Sequence, residues 1–235
     1  MPNTKSVQTA RGAAAKPEET KRQLIYAGLK LFGSQGFDNV TTRALATEAG
    51  VNQAAIPYHF GGKKGLYIAV AESVVDQIGS KFDLIDSKIE SILNQTEIGT
   101  DEIQTALSIV YETFFLNVLK SSEFTVLPMF VLREYHEPGL AFEILYEGAL
   151  SKMNILLTRI VTSALGLPPE SKEAILRAHV LTGQMFGFIA GRPLVFRRMG
   201  WDGYSKENAQ EVVRILIDMS CKSLGTLPNN EREGT

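Results

Sequence analysis

Cysteine is nearly absent from this chain: Cys221 is the only one in 235 residues. A disulfide framework within the chain is therefore excluded, and a reducing, cytoplasmic setting fits best. Three dispersed histidines beside one thiol give no metal-ligand spacing. The sequence holds no Gly-Lys-Ser/Thr phosphate loop, no Gly-x-Ser-x-Gly elbow and no dinucleotide fingerprint. No catalytic constellation is visible, so neither an enzyme nor a cofactor is expected. No apolar run approaches the roughly 20 residues that cross a bilayer, and residues 1–20 lack the hydrophobic segment of a secretory signal. Strand-like alternation and internal repeats are missing as well. What is present in quantity is apolar residues, 44% of the chain, enough for a sizeable core.

Charge is scarce overall, at −2, but unevenly placed. Residues 1–67 carry nine Lys/Arg against four Asp/Glu, or +5; the remainder carries fifteen against twenty-two, or −7. A basic head on an acidic body suits a polyanion partner at one end only.

Helical periodicity runs through the chain. Residues 1–17 read as a flexible basic arm. Residues 18–35 place Leu24, Ile25, Leu29, Leu31 and Phe32 at helical spacing, and Gly36 stands where a C-terminal cap belongs. Thr41 is the expected N-cap of a short second helix ending at Ala49-Gly50. After the Gly50-Val51-Asn52 turn a third helix is expected over 53–59, capped by Asn52, with Ile56 and Phe60 inward. Two short helices at this separation are helix–turn–helix arithmetic. Lys63 and Lys64 open a fourth helix with the apolar row Leu66, Val70, Val74 and Ile78. Cations there oppose the helix dipole, which argues for an anion nearby. Further helices are expected over 101–120, 124–135, 138–165, 171–189 and 205–224, with a loop or broken helix over 191–203. The resulting architecture is all-α. A helix–turn–helix domain spans 18–67, a larger helical body spans 68–225, and a flexible tail spans 226–235.

Residues 18–67 resemble the N-terminal domain of the TetR family of bacterial transcriptional regulators. The matching positions are Ala27, Leu31-Phe32, Gly36-Phe37, Thr41-Thr42-Arg43, Leu45-Ala46, Ala49-Gly50-Val51, Tyr58-His59-Phe60, Lys63 and Leu66. The later part is similar to the CecR-like branch, through Ala178-His179, Gly183-Gln184, Gly191-Arg192 and Gly200-Trp201. The resemblance implies a homodimer that binds a double-stranded DNA operator. A linking helix would join three DNA-binding helices to a domain for a small-molecule effector, and most such regulators repress. Pro57 departs from the pattern, where tyrosine is common. Proline removes an N–H and crowds the preceding turn, so it puts the last turn of the recognition helix in question.

In that frame Thr42 and Arg43 would meet phosphates or a base edge from the second helix. Asn52 caps the third, Gln53 could pair with adenine, and Ala54 could touch a thymine methyl. Tyr58 and His59 would reach phosphates, and Lys63 would contact the backbone. Aromatic and methionine residues are dense in the body. Phe114, Met129, Phe130, Phe142, Tyr146, Met185 and Phe186 are the candidates for an apolar effector pocket, set against plain helical core for any one of them. The resemblance also implies a four-helix dimer seam from the last two long helices. Ile175, His179, Thr182 and Phe186 are its candidates on one helix, and Val213, Leu216, Ile217 and Ser220 on the other. Arg192, Arg197, Arg198 and Trp201 suit a solvated dimer rim, or an anion site. Two rival functions remain: a helical enzyme or carrier for hydrophobic molecules with a vestigial DNA head, and a protein-binding adaptor.

Overall fold

A computed structural model describes residues 17–95, 97–118 and 126–226. The expected arm, apart from Pro17, and the expected tail, apart from Thr226, lie outside the described residues, as do residues 119–120 and 124–125 of two expected helices. Among the described residues the regular structure is helical throughout. In chain order the helices are α1 (Pro17–Gln35), α2 (Thr42–Ala49), α3 (Ala55–Phe60), α4 (Lys63–Leu93), α5 (Thr100–Val118) and α6 (Leu127–His136). α7 (Phe142–Leu145) runs through a π-turn (Tyr146–Leu150) directly into α8 (Ser151–Leu165). α9 (Lys172–Ala190), α10 (Arg192–Met199) and α11 (Lys206–Ser223) complete the chain. The stretch expected as a loop or broken helix thus contains α10.

The helix ends follow local chemistry. α1 opens with Pro17 at its first position and Glu18 and Glu19 in its first turn, where a fixed φ and negative charge both suit an N-terminus. The hydroxyls of Thr41, Ser171 and Ser205 each accept a backbone N–H three residues on, capping α2, α9 and α11.

Two apolar clusters hold the molecule together. The first joins α1–α3 to the start of α4 through Leu24, Phe32, Leu45, Ile56 and Leu66. It does not stop at residue 67: Val70 and Val74 of α4, Phe130 of α6 and Leu145 of α7 belong to it. The second cluster fills the body between α4, α5, α8, α9 and α11, around Tyr111, Phe115, Leu157 and Leu216. α4, 31 residues long, runs through both. It crosses the π-turn at a close backbone approach. A Cβ at Gly79 would fall on the Gly148 carbonyl oxygen, and one at Gly148 on the Val75 side chain.

Candidate nucleic-acid interface

The head is built so that its third helix is held from one side only. Ile56 is fully buried beneath it, while Gln53, Ala54, Pro57 and Tyr58 are exposed. Gly50 takes the left-handed conformation (φ 66°) that ends α2, and its N–H reaches the carbonyls of Ala46 and Thr47. Asn52 Oδ1 then accepts the Ala54 N–H at 2.8 Å and holds the turn, but it is not the expected cap: α3 begins at Ala55 rather than 53, and Ala54 takes the N-cap position with no side-chain bond. That shift disposes of the difficulty at Pro57. It occupies the third position of the helix, inside the first turn, where a missing N–H forfeits no bond. Its carbonyl accepts the Gly61 N–H at 3.0 Å and closes the helix.

α2 supports the reading face directly. Gln53 Nε2 donates to Thr42 Oγ1 at 2.8 Å, a bond that uses neither the amide oxygen nor the second N–H of this exposed residue. Arg43 stands exposed beside this pair. Tyr58 is 80% exposed, and its ring sits edge-on to His59 at 4.8 Å. Lys63 is different. Its ammonium donates to the carbonyls of Phe37 (2.9 Å) and Val40 (3.0 Å) and lies 4.3 Å from the Phe37 ring centre. The turn before α2 leaves those carbonyls without helical partners, and the lysine satisfies them. An internal contact, which spacing alone did not reveal, thus takes two of its three hydrogens, whereas Lys64 is exposed.

α6 ties this head to the body. Arg133 donates through Nε to the Gly33 carbonyl and through Nη2 to that of Ser34, each at 3.2 Å, serving the orphan carbonyls at the end of α1. The adjacent Glu134 is only 4% exposed. Its carboxylate accepts the Tyr67 hydroxyl of α4 and the backbone N–H groups of Gly139 (3.1 Å) and Ala141 (3.2 Å). Burial, then the bond to Glu134, push the Tyr67 phenol well above its usual range. The sequence alone assigned no role to Glu134 or Arg133. The signal for their role is their place just after the buried run Leu127, Pro128, Phe130 and Val131 on a short helix.

Comparison with known proteins agrees with this geometry. Residues 24–70 match the model of bacterial regulatory proteins of the tetR family, and residues 87–227 match the C-terminal domain of the HTH-type transcriptional dual regulator CecR. The HTH-type transcriptional dual regulator CecR of Shigella flexneri is 31% identical over 212 residues, which is 89% of this chain and 94% of that protein. The chain belongs to the TetR family. It is a DNA-binding transcriptional regulator, as its relatives are, and not an enzyme. The fold agrees too. The fatty acid degradation regulator FadR of Bacillus halodurans superposes with a TM-score of 0.58 at 17% identity, covering 88% of this chain and 96% of its own. The SmeT–triclosan complex gives 0.57 at 15%, covering 87% and 90%.

Within this TetR-family body an apolar cavity of about 30 Å³ lies against α4 where the two clusters meet. Val74, Ile78 and Phe82 of α4 form one wall, and Leu127, Pro128 and Val131 of α6 another. Phe114 and Phe186 line it too, with Met153. The other pocket candidates are elsewhere. Phe130 is buried in the head cluster against Tyr67, with ring centres 5.2 Å apart. Met185 is buried in the body cluster. Met129 and Tyr146 are substantially exposed, and Phe142 stacks on Tyr146. Aromatic density marks helical core in general and does not say which side chain faces a void.

The dimer candidates require the same correction. Thr182, Phe186, Val213, Leu216 and Ser220 are buried within their own subunit, and Ile217 is half-buried. Ser220 shares a 2.6 Å hydrogen bond with Tyr111. Ile175 and His179 are exposed, as a seam requires. The α11 candidates thus face the body, whereas the α9 candidates divide, Thr182 and Phe186 inward and Ile175 and His179 outward. The outer stripes hold Leu176, Val180, Gly183 and Gly187 on α9, and Ile215 and Met219 on α11. Among the described residues no cluster of His, Cys, Asp or Glu suited to a metal occurs, and no helix is long and apolar enough to span a membrane.

Proposed function

We propose that this regulator is a cytoplasmic homodimeric repressor that leaves its operator when a small hydrophobic effector binds. One observation carries the DNA-reading part: α3 and the turn before it present Gln53, Ala54 and an 80% exposed Tyr58 outward, while Ile56 anchors the helix fully buried beneath. A large aromatic left in water suits a partner surface rather than a core. Gln53, held by Thr42, keeps the acceptor and donor that a bidentate contact to adenine needs. Arg43, Tyr58, His59 and Lys64 supply phosphate contacts around it, with the remaining hydrogen of Lys63.

Pairing through the outer stripes of α9 and α11 would set two recognition helices in successive major grooves, about 34–36 Å apart. Leu176 and Val180, 66% and 60% exposed, are apolar surface that a second copy would remove from water. Release would act through α6. The helix walls the cavity on one side and holds α1 and α4 through Arg133 and Glu134 on the other. A molecule that displaces α6 therefore displaces both head helices, and a coupling of about 1–3 kcal/mol gives a useful response. The Shigella flexneri relative is a dual regulator. On the same reading, the position of the operator relative to the promoter would decide the sign of regulation here. Gel-shift titration against the chain's own upstream region tests the proposal. Specific retardation at physiological salt is expected, and equal affinity for random duplex would overturn it.

A further inference from the structure

Two spaces in this molecule share a wall. Val74 of α4 and Leu127 of α6 bound the apolar cavity, and the same two residues bound a groove of about 500 Å³ on the outer face between α1 and α4. The cavity by itself holds roughly two waters' worth of space. That is far too little for an effector, and every side chain lining it is apolar. The groove is of the opposite character. Its floor is Ile25, Leu29 and Val70, but its rim is Glu19, Arg22, Gln23 and the exposed Tyr26 from α1, and Ser73 and Gln77 from α4. A dry inner compartment and a hydrogen-bonding outer one are separated by one valine and one leucine.

The chemistry of the rim narrows what fits. Its one cation and one anion already pair, Arg22 to Glu19 at 2.7 Å, so no net charge remains to select an ionised head. Gln23, Ser73 and Gln77 offer amide and hydroxyl groups that both donate and accept, and Gln77 now spends a donor on Ser73 at 3.2 Å. We propose that groove and cavity form one site for an amphipathic molecule: an aliphatic tail passing between Val74 and Leu127, and an uncharged, hydroxyl-bearing head held at the rim. This rests on the effector reading above and names the effector's class. It also gives the occupant a direct mechanical position, because the head group stands on α1 and α4 while the tail parts α4 from α6.

The test uses the full chain and n-alkyl β-glucosides from hexyl to decyl, each below its aggregation concentration, titrated by calorimetry. Affinity is expected to tighten by up to roughly four-fold per methylene as the longer tail parts α4 from α6 and widens the cavity. Gln77→Ala should weaken the glucosides several-fold while leaving the matching alkyl alcohol unchanged. The only native cysteine, Cys221, is buried, so a thiol introduced by Gln77→Cys can be modified selectively. An octyl chain attached there as a disulfide should occupy the cavity and abolish decyl glucoside binding. The same chain on Glu211→Cys, exposed on α11, should not. Absence of glucoside binding, affinity independent of tail length, or indifference to the tether at 77 overturns the proposal. These readouts need no DNA. Failure of operator binding with normal glucoside binding would therefore sink the repressor reading alone.

Discussion

At the scale of single residues, the reading face and the joint make opposite demands on their side chains. Tyr58 has almost nothing to lose on folding, because it is exposed. Tyr58→Ala should leave the melting temperature unchanged while weakening operator binding, by about 1–2 kcal/mol if its hydroxyl meets a phosphate, as fluorescence anisotropy would show. Gln53→Ala should instead relax base preference at one position of each half-site by about 1–3 kcal/mol, measurable with a panel of single-base operator variants. Tyr67 is the reverse case. Its phenol sits above the ordinary value of about 10, so the neutral form is bound better in the folded state. That contribution is complete below about pH 10 and is lost as pH rises through the folded value. Tyr67→Phe strips Glu134 of a donor and should cost about 1–3 kcal/mol at neutral pH. Denaturant titrations across pH should then show a flatter alkaline loss, with the remainder from Tyr111 and Tyr204, each of which burial pushes up to about 12. Sequence made the exposed residues legible because the turn Gly50-Val51-Asn52 fixes which side of α3 faces out. It did not show Lys63 turning inward, because its partners are two backbone carbonyls that no side-chain pattern records.

At the scale of elements, α4 is a lever with an identifiable crossing point. Gly79 and Gly148 bring its backbone against the π-turn, and the cavity lies beside that crossing. Gly148→Ala would drive a methyl into Val75. A loss of about 1–3 kcal/mol is expected in thermal unfolding, together with weaker operator binding, because the head half of α4 is forced aside. Helix positions were legible to within a few residues wherever a cap residue stood at the boundary, as at Thr41, Ser171 and Ser205. Faces were harder. On α9, Ala178, Thr182, Met185 and Ile189 form one helical row and Leu176, Val180, Gly183 and Gly187 another. Periodicity fits both rows, and only packing against α8 and α11 decides which is inside. Val180→Glu, on the outer row, should therefore leave the fold intact while light scattering reports monomers and operator affinity collapses. The buried neighbour Met185→Glu should unfold the chain outright, since it leaves a charge without a partner in the core.

For the whole molecule, the boundary near residue 67 that composition and resemblance suggest divides the motif from the rest, but the packing does not divide there. Phe32 and Tyr67 lie edge to face at 4.8 Å, and Tyr67 rests on Phe130 of α6, so the head's core is completed by residues more than sixty positions away. A fragment ending at 67 should show little cooperative folding by circular dichroism, whereas one carrying α6 and α7 has its missing half. The cavity lies where the two clusters meet, along the helix that threads both. An empty molecule is thus weakest at the place where its two halves are joined. Filling that gap would knit them, and a heat-capacity trace that shows a broad or split endotherm without ligand should sharpen to a single peak with it.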